Sequence, residues 1–193
     1  MAKLPKPPAW DQLGIEGCFS WENESDFLLD TIEIVKPNNI LEVGFFRGAS
    51  AFTWLQLSSA TLTSVDPMFN TYDPLVQHDG KIENVQKLKD HFGTGRFSFV
   101  QKDSKKVFPD LNGQKFDLFF IDGDHTEAGA RNDFTLALAL RVPYILVDDF
   151  VTTVESVYNE EFTNYFEVIK VYPRVDQFMG KPIPIYLLKN KTI

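Results

Sequence analysis

Short apolar runs alternate with helically spaced apolar positions along most of this chain. Residues 40–43, 62–65, 97–101, 116–121 and 144–147 read as strands, and 116–121 is almost unbroken in its apolar character. Such a run suits a strand buried on both faces of a sheet. Between them, 50–57, 81–92, a short turn near 104–111, and 126–140 carry helical patterns; Ile82, Val85, Leu88 and Phe92 share one face. Ahead of the first strand, Phe27, Leu28, Ile32 and Val35 recur at helical spacing from Trp21 onward, and Pro37 with Asn38 and Asn39 ends that helix. After the fifth strand a helix is expected over 154–166. The runs 168–172 and 183–188 then flank a Pro- and Gly-containing turn and suit an antiparallel pair. Residues 1–20, with several prolines and glycines, read as an irregular arm.

Five strand–helix alternations predict an α/β sandwich with a mostly parallel sheet and helices on both faces. The length of 193 residues suits a single domain over 1–193. In such folds ligands sit outside the carboxyl ends of the strands. Those ends are unusually acidic. The first strand runs into Glu42-Val43-Gly44-Phe45-Phe46-Arg47-Gly48-Ala49-Ser50, the second into Asp66, and the third into Asp103-Ser104. The fourth ends in Asp122-Gly123-Asp124-His125 and the fifth in Asp148-Asp149. Strands exit into water at their ends, so some charge there is ordinary; five acidic ends out of five exceed that cause.

Gly44 and Gly48 allow a sharp turn and close approach to a ligand, and the helix that follows offers free N–H groups to an anion. The same loop read blandly is a tight strand-to-helix turn. It does not match the dinucleotide fingerprint G-x-G-x-x-G, because Phe45 and Phe46 stand where a second glycine belongs and would hinder a pyrophosphate. Asp66 suits the two hydroxyls of a ribose, or else caps a loop. A nicotinamide-binding oxidoreductase is thus disfavoured; a non-catalytic cofactor-binding or scaffold protein remains open.

Composition narrows the partners. A formal net charge of −8 disfavours an extended nucleic-acid surface, and Lys102, Lys105 and Lys106 read as a solvated face. Cys18 stands alone, so no internal disulfide forms, which fits a reducing compartment. The N-terminal residues have no apolar targeting region, and no stretch approaches the ~20 apolar residues of a membrane span. A soluble cytoplasmic protein is the expectation, with a homo-oligomer left open.

The motifs I-L-E-V-G-F-F-R-G-A-S (40–50), S-V-D-P (64–67), K-D-S (102–104), F-F-I-D-G-D-H-T (119–126) and V-D-D-F (147–150) resemble those of class I S-adenosylmethionine-dependent methyltransferases. Among these, the chain is most similar to small-molecule O-methyltransferases of the macrocin and cephalosporin-tailoring type, which share features with catechol-type enzymes. The resemblance covers about residues 25–150. It implies a Rossmann-like, doubly wound, mostly parallel seven-stranded sheet with a reversed last strand.

It also implies roles. Glu42, Gly44, Gly48 and Ser50 would hold the methionine part of S-adenosylmethionine, with Ser50 bonding its carboxylate. Asp66 would hold the ribose, and Asp103, Ser104 and Asp122 would complete the cofactor site. Asp122, Asp148 and Asp149 match the positions that bind a divalent metal. Three neighbouring carboxylates do repel one another unless a cation or protons neutralise them, and an all-oxygen set favours Mg²⁺ or a similar ion. Asp149 read alone could instead cap a helix. His125 matches a general base acting with Asp122, or else caps the 126–140 helix. The implied substrate is a small molecule with a hydroxyl acceptor; a sugar, a phenol and a catechol all remain open. Contacts to it are expected from 68–80 and 173–182, with Tyr72, His78, Arg174, Phe178 and Met179.

Overall fold

A computed structural model describes residues 4–15, 21–68, 82–150, 152–174 and 182–193. Its centre is a seven-stranded sheet: β1 (Asn39–Val43), β2 (Thr61–Val65), β3 (Phe97–Val100), β4 (Leu118–Ile121), β5 (Tyr144–Val147), β6 (Phe166–Tyr172) and β7 (Ile185–Asn190). The strands lie in the order β3-β2-β1-β4-β5-β7-β6. All neighbouring pairs from β3 to β5 are parallel, and β7 runs antiparallel to both β5 and β6. The expected doubly wound sheet with its reversed last strand is therefore present.

Among the described residues seven helices flank it: α1 (Pro8–Leu13), α2 (Trp21–Val35), α3 (Ala49–Leu57), α4 (Ile82–Phe92), α5 (Phe108–Leu111), α6 (Glu127–Ala139) and α7 (Thr152–Val157). Because side chains alternate across a strand, each inner strand feeds two cores. Ile40, Leu118, Phe120 and Leu146 pack with Leu28, Phe52, Trp54 and Leu88 from α2, α3 and α4. Leu41, Val43, Phe119, Ile121 and Val147 pack with Phe134 of α6 and Val154 and Val157 of α7. This two-sided burial is why the inner strands read as continuous apolar runs.

Two expectations need correction. The N-terminal arm contains α1, with a proline in its first turn, where the missing N–H costs nothing. Trp10 of α1 is buried edge-on against Trp21 and Phe52, at 5.9 and 5.4 Å between ring centroids. The helix expected over 154–166 ends earlier: α7 stops at Val157, a π-helical turn spans Tyr158–Phe162, and Phe166 already opens β6. Phe162 and Phe166 both contact Phe134, so a spacing of four serves two different elements here.

Candidate active site

The parallel register sets Val65, Val43, Ile121 and Val147 abreast across β2, β1, β4 and β5. The ladder runs one residue further. The N–H of Asp66 donates to Val100 O, Gly44 to Val65 O, Asp122 to Val43 O and Asp148 to Ile121 O, at 3.2, 3.0, 3.0 and 2.9 Å. Asp66, Gly44, Asp122 and Asp148 thus form the row immediately above the sheet.

Gly44 has φ +98°, and a Cβ there would fall 1.9 Å from the Asp122 carbonyl oxygen. Glycine is required at this point for strand ends to stand this close. Gly48 has φ +85° and is the N-cap of α3; a Cβ there would meet the Phe45 ring at 2.6 Å. Phe45 is buried and packs on Phe97 and Phe99. It therefore turns into the core and, contrary to expectation, does not hinder a ligand at this loop.

Asp66 shapes the same loop. Its Oδ2 accepts from the N–H of Phe45 and of Phe46, each at 2.9 Å, and its Oδ1 accepts from Met68 N at 2.6 Å. Glu42 is fully buried on β1. It accepts hydrogen bonds from the Ser50 and Ser64 hydroxyls, both at 2.6 Å. The Ser50 hydroxyl expected to meet a cofactor carboxylate thus donates to Glu42 instead. Burial pushes the Glu42 carboxyl up to about 7; the two hydroxyls oppose this and the Asp66 charge adds to it.

Asp103 caps the 3₁₀ turn Ser104–Lys106 by accepting from Lys105 N at 2.9 Å. The Ser104 hydroxyl accepts from Asn132 Nδ2, which also donates to Asp133 Oδ1. Asp133 is buried, its carboxyl is raised to about 6 chiefly by that burial, and its Oδ2 has no hydrogen-bond partner among the described residues. Sequence reasoning did not single out Asn132 or Asp133, since both sit mid-helix in α6.

On the other side of the row, Asp122, His125, Asp148, Asp149 and Arg174 converge. His125 Nδ1 lies 3.2 Å from Asp149 Oδ2, and its Nε2 lies 3.7 Å from Asp122 Oδ1. That Nε2 is buried without a hydrogen-bond partner among the described residues. His125 does not cap α6: Thr126 does so, accepting from Gly129 N, while Asp124 accepts from Thr126 N. Burial alone would lower the His125 pKa, but its contact with Asp149 and the charges of Asp149, Asp148 and Asp124 outweigh it and raise the value above 6.5. Burial, together with Asp148, Asp149 and Glu42, pushes the Asp122 carboxyl well above the usual range, against the pull of Arg174.

The arrangement around Asp148 and Asp149 departs from the expected metal site. Arg174 Nη1 lies 3.0 Å from Asp148 Oδ2 and Nη2 lies 3.1 Å from Asp149 Oδ1. Asp148 Oδ1 accepts from Asp149 N at 2.8 Å, and Asp149 Oδ2 faces His125. All four oxygens are thus engaged by the protein. Among the described residues, no three acidic, histidine or cysteine side chains are arranged to hold a metal ion. The donor set present does not fit the Mg²⁺ that the resemblance implied. Arg174, expected as a substrate contact, is a partner of these aspartates. Tyr72, His78, Phe178 and Met179 lie outside the described residues.

A family model described as a methyltransferase domain matches residues 41–150. The chain belongs to the methyltransferase family. The match spans the row of strand ends from Glu42 to Asp149, and the class I resemblance read from the motifs holds for family and fold. No curated protein sequence matches the chain. Among solved structures, the Podospora anserina methyltransferase PaMTH1 bound to SAH is similar over 98% of this chain and 91% of its own, with 17% identity and a TM-score of 0.69. An O-methyltransferase from Bacillus cereus in complex with SAH covers 98% of this chain and 94% of its own, at 17% identity and a TM-score of 0.67. The O-methyltransferase TomG from Streptomyces achromogenes, in complex with SAM, covers 94% and 86%, at 15% identity and a TM-score of 0.67. No helix among the described residues is long and apolar enough to cross a membrane.

Proposed function

We propose that this methyltransferase transfers the methyl group of S-adenosylmethionine to a hydroxyl oxygen of a small molecule. The observation that carries the reading is the pairing of His125 with Asp149. It leaves a buried ring nitrogen without a partner beside Asp122, at the carboxyl edge where this fold holds its ligands. The likeness in fold to the SAM- and SAH-bound O-methyltransferases named above supports the same reading.

S-adenosylmethionine supplies an electrophilic methyl on a sulfonium. The residues of this chain divide the remaining work. Gly44 and Gly48 keep the loop open, and Glu42 with Ser50 braces it from beneath as a hydrogen-bonded pair. Asp66 fixes the loop backbone and offers its remaining lone pairs to the ribose. Asp103 and Ser104 line the adenine side, and Asp122 the side facing the acceptor. His125 Nε2 takes the hydroxyl proton, and the oxygen then attacks the methyl carbon in line as the sulfur–carbon bond breaks. A divalent metal has no part in this reading, because the aspartates that would hold it face Arg174.

Titration calorimetry tests the reading: S-adenosylmethionine should bind and NAD should not. Binding of NAD alone would favour an oxidoreductase. Cofactor binding without methyl transfer to any phenol, catechol or sugar hydroxyl would favour a non-catalytic protein.

A further inference from the structure

Acidic strand ends need a compensating cation, and the fold delivers one from an unexpected place. β7 lies between β5 and β6 and is antiparallel to both. β6 is therefore parallel to β5, and its last residue, Tyr172, leaves the sheet at the same edge as Val147. Arg174 follows two residues later. Its backbone is tied to the start of the returning segment, Ile183 N donating to Arg174 O at 2.9 Å, and Pro184 O in turn accepts from Phe150 N at 3.1 Å. The guanidinium is thereby held over Asp148 and Asp149, one nitrogen to each carboxylate.

We infer that the Arg174 guanidinium is the resident cation of this site, and that Asp148 and Asp149 hold it in place of a divalent metal. The planar fork matches two carboxylates side by side, and arginine keeps its charge at any pH the protein meets. Asp148 is almost wholly buried, with a side-chain exposure of 7%, so losing its partner leaves a costly uncompensated charge. A metal would have to displace Arg174 and recruit oxygens already bound to Asp149 N and His125. The Arg174 pairing stands apart from the methyltransferase reading, which enters here only through the metal that the family resemblance implies.

Titration with Mn²⁺ alone, read by electron paramagnetic resonance, tests the inference on the wild-type chain and on Arg174→Gln. The wild type should take up no Mn²⁺ at about 1 mM, a concentration that fills weak oxygen sites. Arg174→Gln should bind one ion at least about tenfold more tightly, because the freed carboxylates then lack a cation. Equal binding by the two proteins overturns the inference, as does a folded Arg174→Gln that binds none. If Arg174→Gln does not fold, the wild type decides alone: Mn²⁺ that binds and raises its Tm overturns the inference, and no binding supports it. Calorimetry with S-adenosylmethionine, run in parallel without metal, reads the methyltransferase proposal separately, so either can fail without the other.

Discussion

Asp149 Oδ2 lies 3.2 Å from His125 Nδ1, which sets the imidazole proton on Nδ1 and leaves the Nε2 lone pair toward Asp122. A carboxylate in this position fixes both the tautomer and the ring plane. His125→Ala should lower kcat by about 10²- to 10⁴-fold, the usual contribution of a positioned base. An unchanged kcat would remove His125 from the mechanism.

The same contact sets a pH dependence. Asp149 raises the His125 pKa above 6.5, and the base works only when neutral. Activity should therefore climb as pH rises through that raised value. Asp149→Asn removes the stabilising charge, so the climb should move to lower pH while kcat falls. Rate profiles of the two proteins would decide it; coincident profiles would contradict the pairing.

Glu42 gives a stability signature. Its folded carboxyl sits near 7 against an unfolded value of 4.5, so the folded state binds the proton more tightly. The contribution of Glu42 to stability is then complete below about 4.5 and is lost as pH rises to about 7, amounting to about 3 kcal/mol across the interval. Glu42→Gln, which stays neutral, should flatten this decline in urea-unfolding midpoints. A variant as pH-sensitive as the parent would mean that Glu42 stays ionised when folded.

Asp66 offers a test that separates structure from binding. It accepts from three backbone N–H groups, so Asp66→Ala should cost about 1–3 kcal/mol of stability in urea unfolding by leaving donors unpaired. The same variant should lose S-adenosylmethionine affinity even where it is fully folded. Full affinity in folded protein would make Asp66 a loop cap and nothing more.

Gly44→Ala should be far more damaging than its size suggests. The added carbon would sit 1.9 Å from the carbonyl oxygen of Asp122, a residue whose N–H is held in the sheet ladder by Val43 O, so the backbone there cannot retreat cheaply. A loss above about 4 kcal/mol, or no folded protein, is expected from thermal unfolding. A mild loss would mean that the two strand ends can separate.

The inner strands and their acidic ends were legible because two-sided burial writes itself as an apolar run that stops where water begins. Asp66, Asp122 and Asp148 fall in one row for that reason. The direction of Phe45 was not legible: the chain turns sharply after Gly44, and only the packing of Phe97 and Phe99 draws the ring inward. Nor was the partner of Ser50, since Glu42 and Ser64 come from adjacent strands and α3 lies above them. Least legible were the partners of Arg174, which was expected as a substrate contact and pairs with Asp148 and Asp149 instead. Its contact with Asp148 depends on the pairing of β5 with β7 and of β7 with β6, and no local pattern around residue 174 records that register.

The seat of β7 also has a consequence for how the chain comes together during synthesis. β6 leaves the ribosome before β7, yet β7 is its neighbour in the sheet. Until β7 arrives, β6 has nothing to pair with, and its Val168, Ile169 and Val171 remain exposed even in the finished fold. For that interval the nascent chain carries an open, apolar strand edge, the kind of surface that invites pairing with the wrong molecule. Insertion of the seventh strand pairs one edge of β6 and leaves it the outermost strand of the sheet, and the same event brings Arg174 to its aspartates.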